Sequence, residues 1–242
     1  MQILKQNNSA VNNIIKDKKI INKLQTNSGK ILCLDLGIIP YNDAYNLQTY
    51  FFDQVKLSNC CGVILLLEHT PVITIGNNKK LDNLLASNTK LKERNIELVQ
   101  SNRGGDITFH GPGQIVCYPI LNLSCVKKDL SLYVYNLEQL IIEVLNHYGI
   151  CGTRIDKHRG VFVENYKIAS IGVRIKKWIT MHGFSLNVNV DLSYFDNIIA
   201  CGLKKYSQTS MQKILNKNIP INDVKEQILI KFNEVFGLSV LK

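Results

Sequence analysis

Arg103-Gly104-Gly105-Asp106-Ile107-Thr108-Phe109-His110-Gly111-Pro112-Gly113-Gln114 runs straight into Ile115-Val116-Cys117-Tyr118, a loop feeding a strand. Four glycines, a proline, an arginine and a histidine in twelve positions break any regular periodicity, whereas the apolar residues that follow suit a buried strand that points Cys117 into the core. Where Cβ atoms are missing, a ligand can approach the main chain and meet its amide N–H groups. Taken alone, the run reads either as a ligand loop or as two tight turns around a satisfied histidine. It is not a phosphate-binding Walker loop, because no Gly-Lys-Ser/Thr follows, and the spacing G-x-G-x-x-G of a dinucleotide fingerprint is absent.

Upstream, Ile31-Leu32-Cys33-Leu34 predicts a strand, Gly37 and Pro40 a turn, and Asn42 or Asp43 the N-cap of a helix that buries Ala44, Leu47, Phe51 and Val55. Gly62-Val63-Ile64-Leu65-Leu66-Leu67-Glu68 and Val72-Ile73-Thr74-Ile75 predict two buried strands flanking His69-Thr70-Pro71. Downstream, a helix begins after Ser131, with a core stripe of Leu137, Leu140, Ile141, Val144, Leu145 and Tyr148 and with Gly149 at C′. Residues 160–163, 168–175 and 179–190 are rich in Val, Ile and Thr and predict an antiparallel meander. A last helix from about Asn222 buries Val224, Ile228, Phe232 and Val235 and stops at Gly237. Strands and helices alternate too irregularly for a βαβ array, which defines an α+β domain with a mixed, largely antiparallel sheet packed with helices.

A chain of 242 residues that is 45% hydrophobic forms one domain by default. Residues 1–30 hold six lysines against Asp17 alone and have no arginine and no secretory apolar core, which fits a disordered extension or an organelle transit peptide; residues 31–242 form the single folded domain. A mitochondrion or plastid is the expected location, with the cytoplasm as the alternative. No run approaches the ~20 apolar residues of a membrane span, so no membrane partner is expected. Seven cysteines without a CxxC pair suggest neither a disulfide framework nor a metal site, and a reducing compartment. The charge of +10 suits acidic partners, but the lysines are scattered and no aromatic platform accompanies them, so nucleic acid is not expected.

The remaining chemistry-bearing residues lie between positions 167 and 201. Lys167-Ile168-Ala169-Ser170-Ile171-Gly172 is followed by Thr180-Met181-His182-Gly183-Phe184-Ser185-Leu186-Asn187-Val188-Asn189 and by Ala200-Cys201-Gly202. Small residues on both sides of Cys201 leave its sulfur approachable, although a lone cysteine is more often a small buried hydrophobe.

Together with Glu68-His69-Thr70-Pro71 and Tyr118-Pro119-Ile120-Leu121-Asn122-Leu123, these segments resemble the lipoyl(octanoyl) transferase family, the octanoyl-[acyl carrier protein]:protein N-octanoyltransferases, over residues 31–203. The resemblance implies a biotin/lipoate protein ligase-like catalytic domain. It implies that Cys201 takes an octanoyl group from octanoyl-acyl carrier protein as a thioester, and that Lys167 lowers the thiol pKa and serves as acid and base. It also implies that the substrate is lined by Arg103, Gly104, Gly105, Asp106, Ile107, Thr108, Phe109 and His110, by Ser170, Ile171 and Gly172, and by Gly183, Phe184 and Ser185. The acceptor would be the lysine of apo-lipoyl domains, either the glycine cleavage H protein or 2-oxo-acid dehydrogenase subunits, and the enzyme a monomer without cofactor or metal. Two positions depart from the family: Ala200 replaces a usual proline and Tyr166 a common glycine.

The chemistry suits the residues. A thiol with a pKa of ~8.5 is scarcely ionised at neutral pH, so a nearby ammonium is needed to favour the thiolate. A desolvated lysine can afterwards take a proton from the incoming amine; His110 and His182 are candidates to hold a substrate carbonyl or the amine, and main-chain N–H groups near Gly104 and Gly105 are candidate oxyanion donors. Thioester to amide is downhill, so no ATP is required. An ATP-dependent lipoate or biotin ligase and a non-catalytic binder of carrier domains are the alternatives.

Overall fold

Continuous apolar runs become central strands, and three-and-four periodic runs become the helices that cover them. The structure, a computed structural model, describes residues 9–26, 29–58, 60–78, 81–202 and 205–241. In chain order the elements are α1 (Ser9–Lys16), α2 (Lys18–Thr26), β1 (Ile31–Ile39), α3 (Tyr41–Leu57), β2 (Gly62–His69), β3 (Val72–Ile75), α4 (Asn88–Glu93) and β4 (Glu97–Gln100). They continue with β5 (Ile107–His110), β6 (Gln114–Leu121), α5 (Leu130–His147), β7 (Thr153–Ile155), β8 (His158–Val163), β9 (Tyr166–Lys176) and β10 (Ile179–Asn187). The chain closes with β11 (Ser207–Gln208), α6 (Met211–Leu215), α7 (Ile221–Phe236) and β12 (Val240–Leu241).

The main sheet has the order β12-β1-β2-β6-β10-β9-β8-β7, with β11 paired to β9, and a smaller sheet has the order β4-β3-β5. Every pair from β2 to β7 in the main sheet is antiparallel, while β1 runs parallel to β2 and to β12. The mixed, largely antiparallel α+β class follows. Pro71 lies where the chain passes from the main sheet to the small one, so the two strands flanking it belong to different sheets. One core cluster packs α5 and α7 against the main sheet through Leu137, Ile141, Ile228 and Phe232; another packs α3 against it through Leu47, Phe51 and Val55. A third, with Ile73, Phe109 and Ile198, belongs to the small sheet.

Several boundaries differ from expectation. α3 starts behind Pro40 with no side-chain cap, because proline's fixed φ already suits a helix start and neither Asn42 nor Asp43 is needed. β1 continues past Gly37 through a register shift to Ile39, and β10 stops at Asn187, whose side chain bonds out of the strand to the Thr209 carbonyl. The N-terminal stretch, expected as a disordered tail, contains two helices that bury Val11 and Leu24 in the α3 cluster, which offsets the entropy of ordering them. Cys61 and Cys125, expected as free thiols, are joined as a disulfide, since the β2 start and the end of the segment after β6 bring their Cα atoms to 5.7 Å. Tyr148 and Gly149 form the C-cap and C′ of α5 as the sequence indicates.

Leu137 is fully enclosed between α5, the main sheet and α7. Leu137→Ala is therefore expected to lower the unfolding free energy by about 2–5 kcal/mol, read from urea denaturation. A loss below about 1 kcal/mol would mean that this face of α5 is not close-packed.

Candidate active site

Lys167 and Cys201 meet where the two sheets join. Lys167 lies on β9 of the main sheet, and Cys201 follows Ile198 and Ala200, which pack into the small-sheet cluster. The cysteine loop is tied to that side by main-chain bonds from Ile199 to Asn83 and from Leu85 and Ala86 to Asn197. The side chains of Asn83 and Asp106 are hydrogen-bonded beside it. Cys201 itself has φ 55°, a left-handed conformation that costs a non-glycine residue energy, next to left-handed Gly202.

Regular alternation would place Lys167 and Ser170 on opposite faces of β9. The pairing with β8 slips by one residue, however: Val161 faces Ala169 while Phe162 faces Lys167, so Ile168 is the extra residue of a β-bulge. Ile168 and Ala169 both enter the core under α5, and Lys167 and Ser170 both reach Cys201. Lys167 Nζ is 3.5 Å and Ser170 Oγ 4.0 Å from Sγ. The lysine is only 2% exposed, donates to the Arg159 carbonyl at 2.8 Å, and makes no ion pair with any carboxylate among the described residues. A buried charge without a counter-charge is costly, and the sulfur is the group placed to supply one.

A cavity of about 200 Å³ opens beside the pair. Arg103, Gly105, Asp106, Thr108 and His110 line it, as do Ser170, Ile171 and Gly172 on one strand and Gly183, Phe184 and Ser185 on its neighbour. Gly183 is obligatory, because a Cβ there would run into the Cys117 carbonyl. Three of the expected residues stand elsewhere. Ile107 and Phe109 point into the small-sheet core by strand alternation, and Gly104 spends its N–H on the Val173 carbonyl. The Arg103 guanidinium lines the wall but is used up internally, donating to the Thr74 side chain and to the carbonyls of Thr74, Gly104 and Asp106. It clamps the glycine loop onto β3 instead of reaching for a ligand. Cys117 is fully buried in the α5 cluster, and burial pushes its thiol well up, which leaves it inert.

The wall also holds residues that the sequence reading left out. Val116 and Tyr118 alternate toward the cavity from β6, as strand parity allowed; Lys157 in the β7–β8 turn and His158 and Arg159 at the start of β8 also line it, a stretch that carries no signal of its own. His110 and His182 are neutral acceptors. Gln114 donates from Nε2 to the Phe109 carbonyl and to Asn187, so its Oε1 accepts from His110 Nδ1–H and leaves His110 Nε2 bare. Asn102 donates to Tyr45, so its Oδ1 accepts from His182 Nε2–H and leaves His182 Nδ1 without a partner. His69 donates from Nδ1 to the Ile39 carbonyl and accepts from the Tyr118 hydroxyl. Burial holds all three imidazoles down: His69 to about 4, His182, helped by Arg103 and Arg174, to about 3, and His110 well below its ordinary value.

A thiol and a buried lysine lie together at the junction of two sheets, beside a cavity, an arrangement that suits acyl transfer. The fold agrees. A lipoate-protein ligase A with bound ATP superposes with a TM-score of 0.68 at 13% identity, covering 89% of this chain and 88% of that one. A bipartite lipoate protein ligase from Thermoplasma acidophilum gives 0.67 at 14%, covering 89% and 86%. The family profile of the lipoyl protein ligase A/B catalytic domain matches residues 40–233. Octanoyltransferases of Thermoanaerobacter sp. (strain X514) and of Solibacter usitatus are 48% and 45% identical, covering 85% and 86% of this chain and 90% and 94% of theirs. The chain belongs to the octanoyltransferase family within the lipoyl protein ligase A/B group, and it is an acyltransferase of protein lipoylation.

The neutral histidines give stability a pH dependence. The unfolded chain takes up protons below its histidine pKa of about 6.5, whereas folded His69 does so only near 4. Stability is therefore fully present above pH 6.5 and falls as the pH drops toward 4, by about 3 kcal/mol for His69 alone. Urea midpoints should decline across this window, and His69→Asn should flatten the decline; a flat wild-type profile would contradict neutral imidazoles.

Proposed function

We propose that octanoyl transfer proceeds in two steps through a Cys201 thioester, from octanoyl-acyl carrier protein to the lysine of a lipoyl domain or H protein. The observation that carries the reading is the buried Lys167 ammonium 3.5 Å from Sγ with no carboxylate paired to it among the described residues. In the first step the Cys201 thiolate attacks the carbonyl carbon of the donor thioester. The carrier's sulfur leaves and takes a proton from Lys167 Nζ, which becomes neutral. In the second step the acceptor amine attacks the Cys201 thioester, loses its proton to the same Nζ, and expels the thiolate. Charge and protons return to their starting arrangement, so the enzyme is ready for another cycle without ATP.

The oxygen that becomes negative in each step needs donors. Main-chain N–H groups of the glycine loop at Gly105, and the Ser170 hydroxyl near Sγ, are the groups we assign to it. His110 Nε2 and His182 Nδ1, both bare and neutral, cannot donate there; they suit a substrate N–H instead. The unpaired rim cations Lys157 and Arg159 suit acidic carrier domains. We further propose that the lysine-rich residues 1–30 address the protein to an organelle; residues 1–40 fused to a fluorescent protein should give an organellar pattern, and diffuse fluorescence would refute it.

Turnover with octanoyl-carrier protein and an apo-lipoyl domain should need no ATP. Cys201→Ser should reduce it by at least about 10³-fold and Lys167→Met by about 10²–10⁴-fold, with folding intact by circular dichroism. Activity of Cys201→Ser that depends on added ATP would make the protein a ligase.

A further inference from the structure

Glu138 is the one carboxylate on the buried face of α5, 3% exposed among Val134, Leu137, Ile141 and Leu145. Such a group persists only if it is hydrogen-bonded or paired. Its Oε2 accepts from Arg154 Nε at 3.2 Å, and its Oε1 accepts from the Gly160 N–H at 3.0 Å. That N–H shares a peptide unit with the Arg159 carbonyl, which is the oxygen that accepts from Lys167 Nζ at 2.8 Å.

Resting on the Lys167–Cys201 reading above, we propose that Glu138 is a positioning residue for acyl transfer: it holds the Arg159–Gly160 peptide so that the carbonyl faces Lys167 Nζ, which in turn sits 3.5 Å from Cys201 Sγ. The need for such a hold comes from Gly160. A Cβ there would meet the Ala169 carbonyl and the Lys167 side chain, and its φ of 120° is a conformation that L side chains rarely adopt, so only glycine fits. Glycine, however, leaves the preceding peptide free to rotate. A flipped peptide would turn an N–H toward the ammonium and remove the carbonyl that accepts from it. The carboxylate prevents the flip by binding the N–H from the far side, and its charge polarises the peptide so that the carbonyl is a stronger acceptor. Arg154 keeps the carboxylate in place: it also donates to Gln139 and to the Tyr135 carbonyl, and it stacks 3.9 Å over the Tyr135 ring.

The test is the pH dependence of Cys201 alkylation by iodoacetamide, read by peptide mass so that exposed Cys151 does not interfere, in parallel with single-turnover octanoyl transfer onto Cys201. Glu138→Leu should move the alkylation midpoint to higher pH and slow acyl transfer about 10- to 100-fold with KM unchanged, the size of one lost charge-assisted hydrogen bond. Glu138→Gln, which keeps an oxygen for the Gly160 N–H, should lie between wild type and leucine and serves alone if the leucine variant does not fold. Leu137→Ala, one residue away and comparably destabilising, should leave the midpoint where it is. The proposal is overturned if the Glu138 variants keep the wild-type midpoint, or if Leu137→Ala shifts it equally. Lys167→Met separates the two levels: a shift there without one at Glu138 removes only the positioning role, whereas no shift in either removes the lysine–cysteine pair itself.

Discussion

A buried lysine side chain with no carboxylate partner among the described residues is the constraint around which this structure is arranged. Burying such a charge is unfavourable by several kcal/mol unless other groups compensate. Here the compensation comes from a main-chain carbonyl, the face of Phe162 at 5.5 Å and the Cys201 sulfur. Each of these depends on a local irregularity. The bulge at Ile168 turns Lys167 toward the sulfur, and Gly160 brings the Arg159 carbonyl close. The left-handed turn at Cys201 presents its side chain from the opposite sheet. β11 pairs with β9 beside the lysine, and Thr209 N–H bonds the Lys167 carbonyl, so the backbone that carries the charge is held on both edges.

The division of labour between the two sheets explains why Lys167 and Cys201 are 34 residues apart in sequence and adjacent in space. The main sheet is the larger body: its strands β2, β6 and β10 are almost wholly buried between α3 on one face and α5 with α7 on the other. The small sheet carries the cysteine loop, and Arg103 and Gly104 fasten it to the main sheet by binding Thr74 on one side and Val173 on the other. The arginine therefore builds the site while its guanidinium forms part of the cavity wall. The histidines work similarly. His110 and His182 each have one ring nitrogen committed to the scaffold, and burial keeps both rings neutral, so each presents an acceptor nitrogen in the cavity wall.

Much of this was legible in the sequence, and the exceptions share a cause. Core helices such as α5 and α7, and the strands β2, β6 and β10, are long and strongly patterned, so period and capping residues located them. The resemblance carried by residues 103–122 and by the segments around Lys167, His182 and Cys201 indicated the family, which the family match bears out, and these segments meet at one cavity. What the residues alone did not disclose depends on non-local geometry. Parity on β9 would have put Lys167 and Ser170 on opposite faces, and nothing in Tyr166-Lys167-Ile168-Ala169 announces a bulge. Glu138 looks like an ordinary helix glutamate until α5 is packed against the β7–β8 turn. Cys61 and Cys125, 64 residues apart, are brought together only by the pairing of β2 with β6.

The most direct test of the central claim is intact-protein mass spectrometry after mixing the chain with octanoyl-carrier protein and no acceptor. The account predicts one octanoyl adduct per chain, removed by hydroxylamine, absent from Cys201→Ser and formed far more slowly by Lys167→Met. An adduct that survives in Cys201→Ser, or full transfer to a lipoyl domain without any adduct on the native chain, would contradict it.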